Sequence, residues 1–266
     1  MPRIASARTT GIDAALSAIG DARFVAIGER HDNPAHQAAQ AALVAALAPA
    51  GIAFEMVPRE REDTLNRLRR EGASRDEIAA ALNWSESGWP DFAHYAAVME
   101  AAPDAYIAGG GLSRETLSAI YAQGAPGLGP EMTARYGLDE PLTLDTEAAM
   151  LNEQYDAHCG LLDRARLAPM VAVQRAWDAA YAEAWRRAGE RGEGRAVLIC
   201  GNAHARLTTG SPARLARAMP DAAIAAIGMT EEGDEPMPAG FYTATVEAPR
   251  PERADPCEQM RESMGK

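Results

Sequence analysis

The sequence is almost without lysine. Its one lysine, Lys266, is the last of 266 residues, so nearly all positive charge is carried by arginine. This argues against a catalytic lysine Schiff base and leaves arginine to bind carboxylate or phosphate groups of a ligand. Acidic residues outnumber basic ones, 38 to 26, giving a formal net charge of −12. We therefore expect neither nucleic acid nor an anionic membrane surface as a partner.

Cysteine is also scarce, and long apolar runs are absent. Cys159, Cys200 and Cys257 form no C-x-x-C pair, which argues against a zinc ribbon or thioredoxin motif but leaves one disulfide open. No stretch reaches the roughly 18 apolar residues of a membrane span. Residues 1–20 contain two arginines but no continuous apolar segment. On the sequence as given we expect a cytoplasmic protein; a trimmed export signal would make it periplasmic or membrane-associated.

Four common catalytic signatures are missing. The chain has no G-x-S-x-G nucleophile elbow, no Walker A loop, no H-E-x-x-H helix and no G-x-G-x-x-G after a strand. The sequence therefore gives no evidence for four enzyme classes: serine hydrolases, P-loop nucleotidases, thermolysin-like proteases and dinucleotide oxidoreductases.

What is present is a regular alternation of short apolar runs and alanine-rich helical segments. This alternation predicts an α/β fold with a mainly parallel sheet flanked by helices. A further segment, GFYTATVEA (240–248), alternates in polarity and is expected as an edge strand. The predicted strands are ARFVAIG (22–28), GIAFEM (51–56), DAYIAGG (104–110), RAVLICG (195–201) and AAIAAIG (222–228).

Helix signals complete this division of the chain. Asn33 followed by Pro34 predicts a helix start, and the Ser74 to Glu77 segment predicts a capping box. Residues about 145–188 have helical periodicity in two pieces, which predicts a helical subdomain inserted in the sheet pattern. We expect residues 1–230 to form the α/β domain with this insertion, and residues 231–266 to form the edge strand and a peripheral tail.

Two strands end in the same short motif, Gly-x-x-His. Gly28 to His31 follows one apolar run and Gly201 to His204 follows another. Because parallel strands end at one edge of a sheet, both motifs are expected at the carboxyl edge, where α/β folds bind ligands. Glu55 lies at the end of a third apolar run and is expected at the same edge of the sheet. Two histidines with carboxylates suit a divalent transition metal, and the predicted metal ligands are Glu29, His31, Glu55 and His204.

Structural roles remain open for each of these residues. A histidine at a strand end is often only a hydrogen-bonding residue, and Glu55 could cap a helix or pair with arginine. His36, in the first turn of its helix, either supports the site or is structural. His158 with Cys159 is a weaker metal candidate.

Several blocks of the chain resemble the ChaN-like haem-binding uptake proteins of the Tiki superfamily. The blocks occur in family order and cover most of residues 22–230. They are IGERHDNPAHQ, FEM, HCGLLDRARLAPMVAVQRAWDAAYAEA and ICGNAHARLTTGSPARL. One departure is AGGGLSRE (108–115), which keeps Arg114 but lacks the proline of the family segment.

The resemblance implies an α/β fold with a helical subdomain, haem binding linked to bacterial iron acquisition, and often a periplasmic or lipoprotein setting. It leaves a homodimer as an expectation, with arginines binding the haem propionates. Tyrosine can ligate haem in such proteins, and Tyr95 and Tyr155 are candidates. The predicted ligand-binding residues are Glu29, His31, His36, Glu55, His158, Gln174, Asp178, Asn202, His204 and Arg206.

The superfamily also supplies an alternative function. Tiki-type members are metal-dependent proteases, and erythromycin esterases resemble the same scaffold. The alternative is therefore a metal-dependent hydrolase in which Glu29 or Glu55 acts as general base.

Overall fold

A computed structural model describes residues 9–264 of the chain, so Lys266 and the two early arginines lie outside the described residues. The strands are β1 (Thr9–Thr10), β2 (Phe24–Ile27), β3 (Gly51–Pro58), β4 (Tyr106–Gly111), β5 (Ala196–Ile199), β6 (Ile224–Glu231) and β7 (Ala244–Ala248). The helices are α1 (Ile12–Ile19), α2 (Pro34–Leu47), α3 (Glu62–Glu71), α4 (Arg75–Ala81), α5 (Phe92–Glu100), α6 (Arg114–Gln123), α7 (Pro130–Tyr136), α8 (Leu144–Ala157), α9 (Arg164–Glu190), α10 (Ser211–Ala218) and α11 (Pro256–Met264).

The described strands form one parallel sheet in the order β1-β7-β6-β2-β5-β3-β4. Every residue of β2 and β5 is buried, because helices cover both faces of the centre of the sheet. On one face Trp185 meets the edge of Phe24, with ring centroids 5.6 Å apart. The predicted α/β class and parallel sheet are confirmed.

The predicted edge strand is wrong in its position. Residues 244–248 form β7, which lies between β1 and β6 in the interior of the sheet. The outer neighbour is supplied by the first described residues, since Thr9 pairs with Thr245 and Thr10 with Val246. The alternation of polar and apolar residues shows which face of a strand is buried. It does not show whether a strand from a distant part of the chain pairs with its outer edge.

Strand β4 is an edge strand, and side chains occupy its outward-facing backbone groups. The Asn66 amide donates to the Ile107 carbonyl at 2.7 Å and accepts the Ile107 N–H at 2.9 Å. Two residues later, the Gly109 N–H donates to Glu62 and the Gly109 carbonyl accepts from Arg187. These contacts satisfy groups that would otherwise pair with another chain.

Two predicted helix starts are present. Asn33 is the N-cap of α2 and accepts the Ala35 N–H, with Pro34 in the first turn. Ser74 and Glu77 form the predicted capping box at the start of α4. The entry to α2 fixes the chain directly after the first Gly-x-x-His motif.

The described chain divides into two compact units. The sheet unit contains residues 9–112 and 178–250, and the helical unit contains residues 113–177 and 251–264. The predicted insertion at about 145–188 covers only the two long helices, α8 and α9. The helical unit holds a disulfide between Cys159 and Cys257, one of the three pairings that three cysteines allow. Within residues 9–264, no helix combines the length and apolar character that crossing a membrane requires.

Candidate functional site

Strand register brings the two Gly-x-x-His motifs and Glu55 together. Ile199 of β5 pairs with Ile27 of β2 on one side and with Phe54 of β3 on the other. The chemically active residues follow this row at the carboxyl edge of the sheet. We define the rim cluster as Glu29, His31, Glu55, Asp178 and His204.

His31 is oriented by Glu29. The His31 Nδ1 lies 2.6 Å from Glu29 Oε1, and the side chain is 35% exposed. Glu29 also accepts the Tyr95 hydroxyl at 2.7 Å and the Gln37 amide at 2.9 Å. Both Glu29 oxygens accept hydrogen bonds and the residue is only 2% exposed, so Glu29 holds the imidazole in place; its role as a metal ligand stays a prediction.

His204 is oriented in the same way by Asp178 of helix α9. The His204 Nδ1 lies 2.7 Å from Asp178 Oδ1, and both residues are buried. The Tyr181 ring packs edge-on against the imidazole, with centroids 4.9 Å apart. In both histidines a carboxylate bonded to Nδ1 directs Nε2 away from that carboxylate.

Both imidazoles direct Nε2 toward one oxygen of Glu55. Glu55 Oε1 lies 4.0 Å from His31 Nε2 and 3.8 Å from His204 Nε2. Its other oxygen accepts the Gly201 N–H at 2.7 Å, and the Tyr181 hydroxyl donates to Oε1 at 3.2 Å. Glu55 is therefore the centre of the cluster, held by a backbone amide and a phenol.

The carboxylates control the protonation of both histidines. Burial acts to lower the pKa of His31, but the hydrogen bond that His31 donates to Glu29 and the charges of Glu55 and Glu29 outweigh it and raise that pKa. Burial opposes protonation of His204 as well, and Glu55 with Asp178 raises its pKa. Burial beside Glu55 raises the pKa of Tyr181, which keeps its phenol a hydrogen-bond donor.

The space around His31 Nε2 is small. A Cβ at Gly201 would lie 3.0 Å from that nitrogen, so a larger residue there would press on the imidazole. Among residues 9–264, no group of three or more His, Cys, Asp or Glu side chains is already arranged to hold a metal ion.

Three predicted ligand-binding residues, His36, Asn202 and Arg206, contact other parts of the protein. His36 accepts the Arg30 N–H at Nδ1 and lies 3.3 Å from the Thr230 carbonyl, and burial lowers its pKa. The Asn202 amide bonds both the N–H and the carbonyl of Met229. Arg206 stacks on Phe241. These side chains join the strand ends to their neighbours and lie outside the rim cluster as defined.

The remaining predicted residues belong to the helical unit. Gln174 lies in helix α9, and His158 ends helix α8, with its Nδ1 2.7 Å from the Gln154 carbonyl. The weaker candidate, a metal bound by His158 and Cys159, is wrong because the Cys159 sulfur is bonded to Cys257. Tyr155 packs under the Arg164 guanidinium, which lies 4.9 Å from its ring centroid.

The sequence patterns do not connect Tyr95 or Tyr181 with the rim cluster. Tyr95 is a predicted haem-ligand candidate, but it is buried and its hydroxyl is bonded to Glu29. Tyr181 has no predicted role. Trp89 packs edge-on against His31, with ring centroids 4.9 Å apart. The sequence signal available was helical spacing, which does not identify the strand end that a helix approaches.

The fold and the rim cluster define a class of α/β proteins with paired histidine motifs at the carboxyl edge of a parallel sheet. The family model described as "Haem-binding uptake, Tiki superfamily, ChaN" matches residues 15–215. The chain belongs to this family, as its sequence blocks predicted.

Solved structures support the same fold. ChaN of Campylobacter jejuni, described by the words "cofacial heme binding", matches with a TM-score of 0.68 and 17% identity over 88% of this chain and 89% of that one. The type III effector HopBA1 matches with a TM-score of 0.49 and 16% identity over 93% and 98% of the two chains, which is too low to argue from. No curated protein matches the sequence.

Proposed function

We propose that this chain binds haem and that it does so for iron uptake. Family membership over residues 15–215 supports haem as the ligand. Within the rim cluster, the Nε2 atoms of His31 and His204 both face the Glu55 carboxylate, which would compete with a haem iron for them. We therefore assign haem to the helical unit, where one histidine is suitable.

The observation that carries this assignment is the hydrogen bond of His158. Its Nδ1 lies 2.7 Å from the Gln154 carbonyl, which can only accept, so the proton resides on Nδ1. Nε2 then keeps its lone pair, and it has no partner among the described residues. A half-buried imidazole with this tautomer is a suitable axial ligand for haem iron.

Charge near His158 fits the rest of the haem molecule. Arg164 and Arg166, at the start of helix α9, are exposed, and their guanidinium groups can pair with the two propionates. Bound haem would supply an iron centre. The residues of this chain would bind the iron through Nε2, neutralise the propionates and hold the imidazole through the Gln154 carbonyl.

Haemin titration followed by absorbance tests the proposal. The wild-type protein is expected to give a saturable, shifted Soret band. His158→Ala should weaken binding at least about tenfold, the loss of one good ligand interaction. His94→Ala, which changes another half-buried histidine, and His31→Ala should each bind haemin like the wild type.

Two results would contradict it. Non-saturating absorbance for the wild type would reject haem binding. Loss of the band in His31→Ala, with His158→Ala unaffected, would reject the assignment to the helical unit.

A second candidate function is metal binding by the rim cluster, for hydrolysis. The observation that favours it is the convergence of His31 Nε2 and His204 Nε2 on Glu55 Oε1, within 4.0 and 3.8 Å. Carboxylates bonded to Nδ1 are the usual support of metal-ligating histidines. A divalent ion, when bound, would supply Lewis acidity and a more acidic water, and Glu55 or a neighbouring carboxylate could take the proton.

Titration with Zn²⁺ or Mn²⁺ by calorimetry tests the second candidate. The wild type is expected to bind one ion per chain, and Glu55→Gln should lose most of that affinity because it removes the central charge. Glu60→Gln, an exposed glutamate outside the cluster, serves as the control. Equal heats for Glu55→Gln and wild type would reject the metal site.

A further inference from the structure

The disulfide between Cys159 and Cys257 has no part in either proposed function. Cys159 lies in the turn between helices α8 and α9, and Cys257 lies in the first turn of helix α11. The two residues are 98 positions apart in sequence and belong to the same unit. The bond therefore attaches the C-terminal segment to the α8–α9 turn.

Helix α11 has little buried surface of its own. From Pro256 to Ser263, only Cys257 and Met260 are half-buried, and the other side chains are exposed. Residues 252–255, which lead into the helix, are also exposed. Apolar stabilisation scales with the area removed from water, so one methionine and one cysteine provide little attachment. The covalent bond therefore contributes strongly to holding this helix.

The bond is also accessible to a reductant. Both cysteines are half-buried, in contrast with Cys200, which is fully buried in the sheet unit and whose thiol pKa is raised by burial. Thiol–disulfide exchange needs an attacking thiolate to approach a disulfide sulfur. Cys159 and Cys257 meet this condition, and Cys200 is inert by comparison.

We propose that the Cys159–Cys257 disulfide is a redox latch, which holds helix α11 on the α8–α9 turn and releases it on reduction by a dithiol. One thiolate of the dithiol attacks one cysteine sulfur, which forms a mixed disulfide and releases the other cysteine as a thiol. The second thiol of the dithiol then attacks the mixed disulfide and releases the first cysteine. The protein gains two thiols and the reductant becomes a disulfide, a transfer of two electrons and two protons.

Release exposes a defined surface. The segment that leaves is residues 251–264, and the surface uncovered is the α8–α9 turn around Cys159. His158 is the neighbouring residue, so the latch lies beside the proposed haem ligand. The latch itself does not depend on haem binding, and its test uses no haem.

Limited trypsin digestion of the full chain tests the latch. Arg261 provides a cleavage site inside helix α11. In the oxidised protein this site should be cut slowly, and after treatment with dithiothreitol the rate should rise at least about tenfold, as expected for loss of local protection. Cleavage within residues 24–58 and 196–231 should not change, because the sheet unit stays folded.

Two variants sharpen the result. Cys257→Ser should be cut rapidly with or without dithiothreitol, whereas Cys200→Ser should keep the redox response of the wild type. Peptide mass mapping of the oxidised wild type should find Cys159 joined to Cys257. The latch is overturned if reduction leaves cleavage at Arg261 unchanged, if that peptide is absent, or if reduction also opens the sheet unit.

Discussion

Tyr95 donates its hydroxyl to Glu29 across 2.7 Å, although 66 positions separate them in sequence. Burial and the charge of Glu29 raise the pKa of Tyr95, so the phenol remains a donor. Glu29 in turn fixes His31. The orientation of a strand-end histidine is therefore set by a residue in the middle of helix α5.

Tyr95→Phe is expected to lower the free energy of unfolding by about 1.5–3 kcal/mol, the range for a hydrogen bond to a charged group. It removes only the hydroxyl and leaves the Glu29 carboxylate short of a donor. Urea denaturation measures the change. Tyr121→Phe, at a tyrosine that is 51% exposed, should stay within about 0.5 kcal/mol of wild type. Equal midpoints for all three proteins would contradict the role of Tyr95.

If the rim cluster binds a metal, His31→Ala and His204→Ala should not act independently. Both Nε2 atoms lie within 4.0 Å of one Glu55 oxygen, well inside the roughly 10 Å at which coupling is usually lost. Each single variant should lose most bound metal, and the double variant should lose little more. Elemental analysis after loading with Zn²⁺ measures this. Additive destabilisation of about 0.5–3 kcal/mol each, with metal content unchanged, would instead show two separate structural histidines.

Stability should depend on pH through His36 with a definite sign. Burial lowers the pKa of His36 in the folded state below its ordinary value of 6.5. The contribution of neutral His36 to the free energy of unfolding is complete above pH 6.5. It is lost as the pH falls toward the lowered pKa, because His36 of the unfolded chain is protonated before His36 of the folded chain. His36→Gln can still accept the Arg30 N–H and does not titrate. The stability difference between wild type and this variant should shrink between about pH 7.5 and 5.5.

His31 of the rim cluster should give the opposite dependence of stability on pH and serves as the comparison. With Glu29, Glu55 and His204 facing it, His31 has a raised pKa. Its stabilisation is present below pH 6.5 and is lost as the pH rises through the raised folded pKa. Measured on metal-free protein, the advantage of wild type over His31→Ala should therefore shrink on raising the pH. A common slope for His36→Gln and His31→Ala would refute both assignments.

Asn66→Leu is expected to open the β4 edge. It leaves the Ile107 N–H and carbonyl without their amide partner, at a cost of about 1–3 kcal/mol. The exposed edge should also favour pairing between chains. Light scattering should detect more association than in wild type. Arg67→Ala, on the same helix but in an exposed pair with Glu71, should change neither property.

Prediction from sequence succeeded where the signal is local. Short apolar runs, the Asn33 cap and the Ser74 box depend on neighbouring residues, and the carboxyl ends of parallel strands lie at the same edge of the sheet. The Gly-x-x-His motifs and Glu55 could therefore be brought together before the structure was known.

The failures concern partners brought from elsewhere in the chain. Asp178 was identified only through the resemblance, and Tyr181 was missed, because both lie on a helix whose approach to the rim depends on its packing. The place of β7 depends on Thr9 and Thr10. The choice of Cys159 and Cys257 among three cysteines requires their distance in space.

The cross-strand row of Ile27, Ile199 and Phe54 has an evolutionary consequence. Glu29 and Glu55 follow this row by two residues and one residue, and His204 follows it by five; successive residues of a strand point to opposite sides. Deleting one codon within β2, β3 or β5 would turn Glu29, Glu55 or the His204 segment to the wrong side, whereas surface loops tolerate changes in length. Natural insertions and deletions are therefore expected in the helix connections, with the lengths of these three strands held constant.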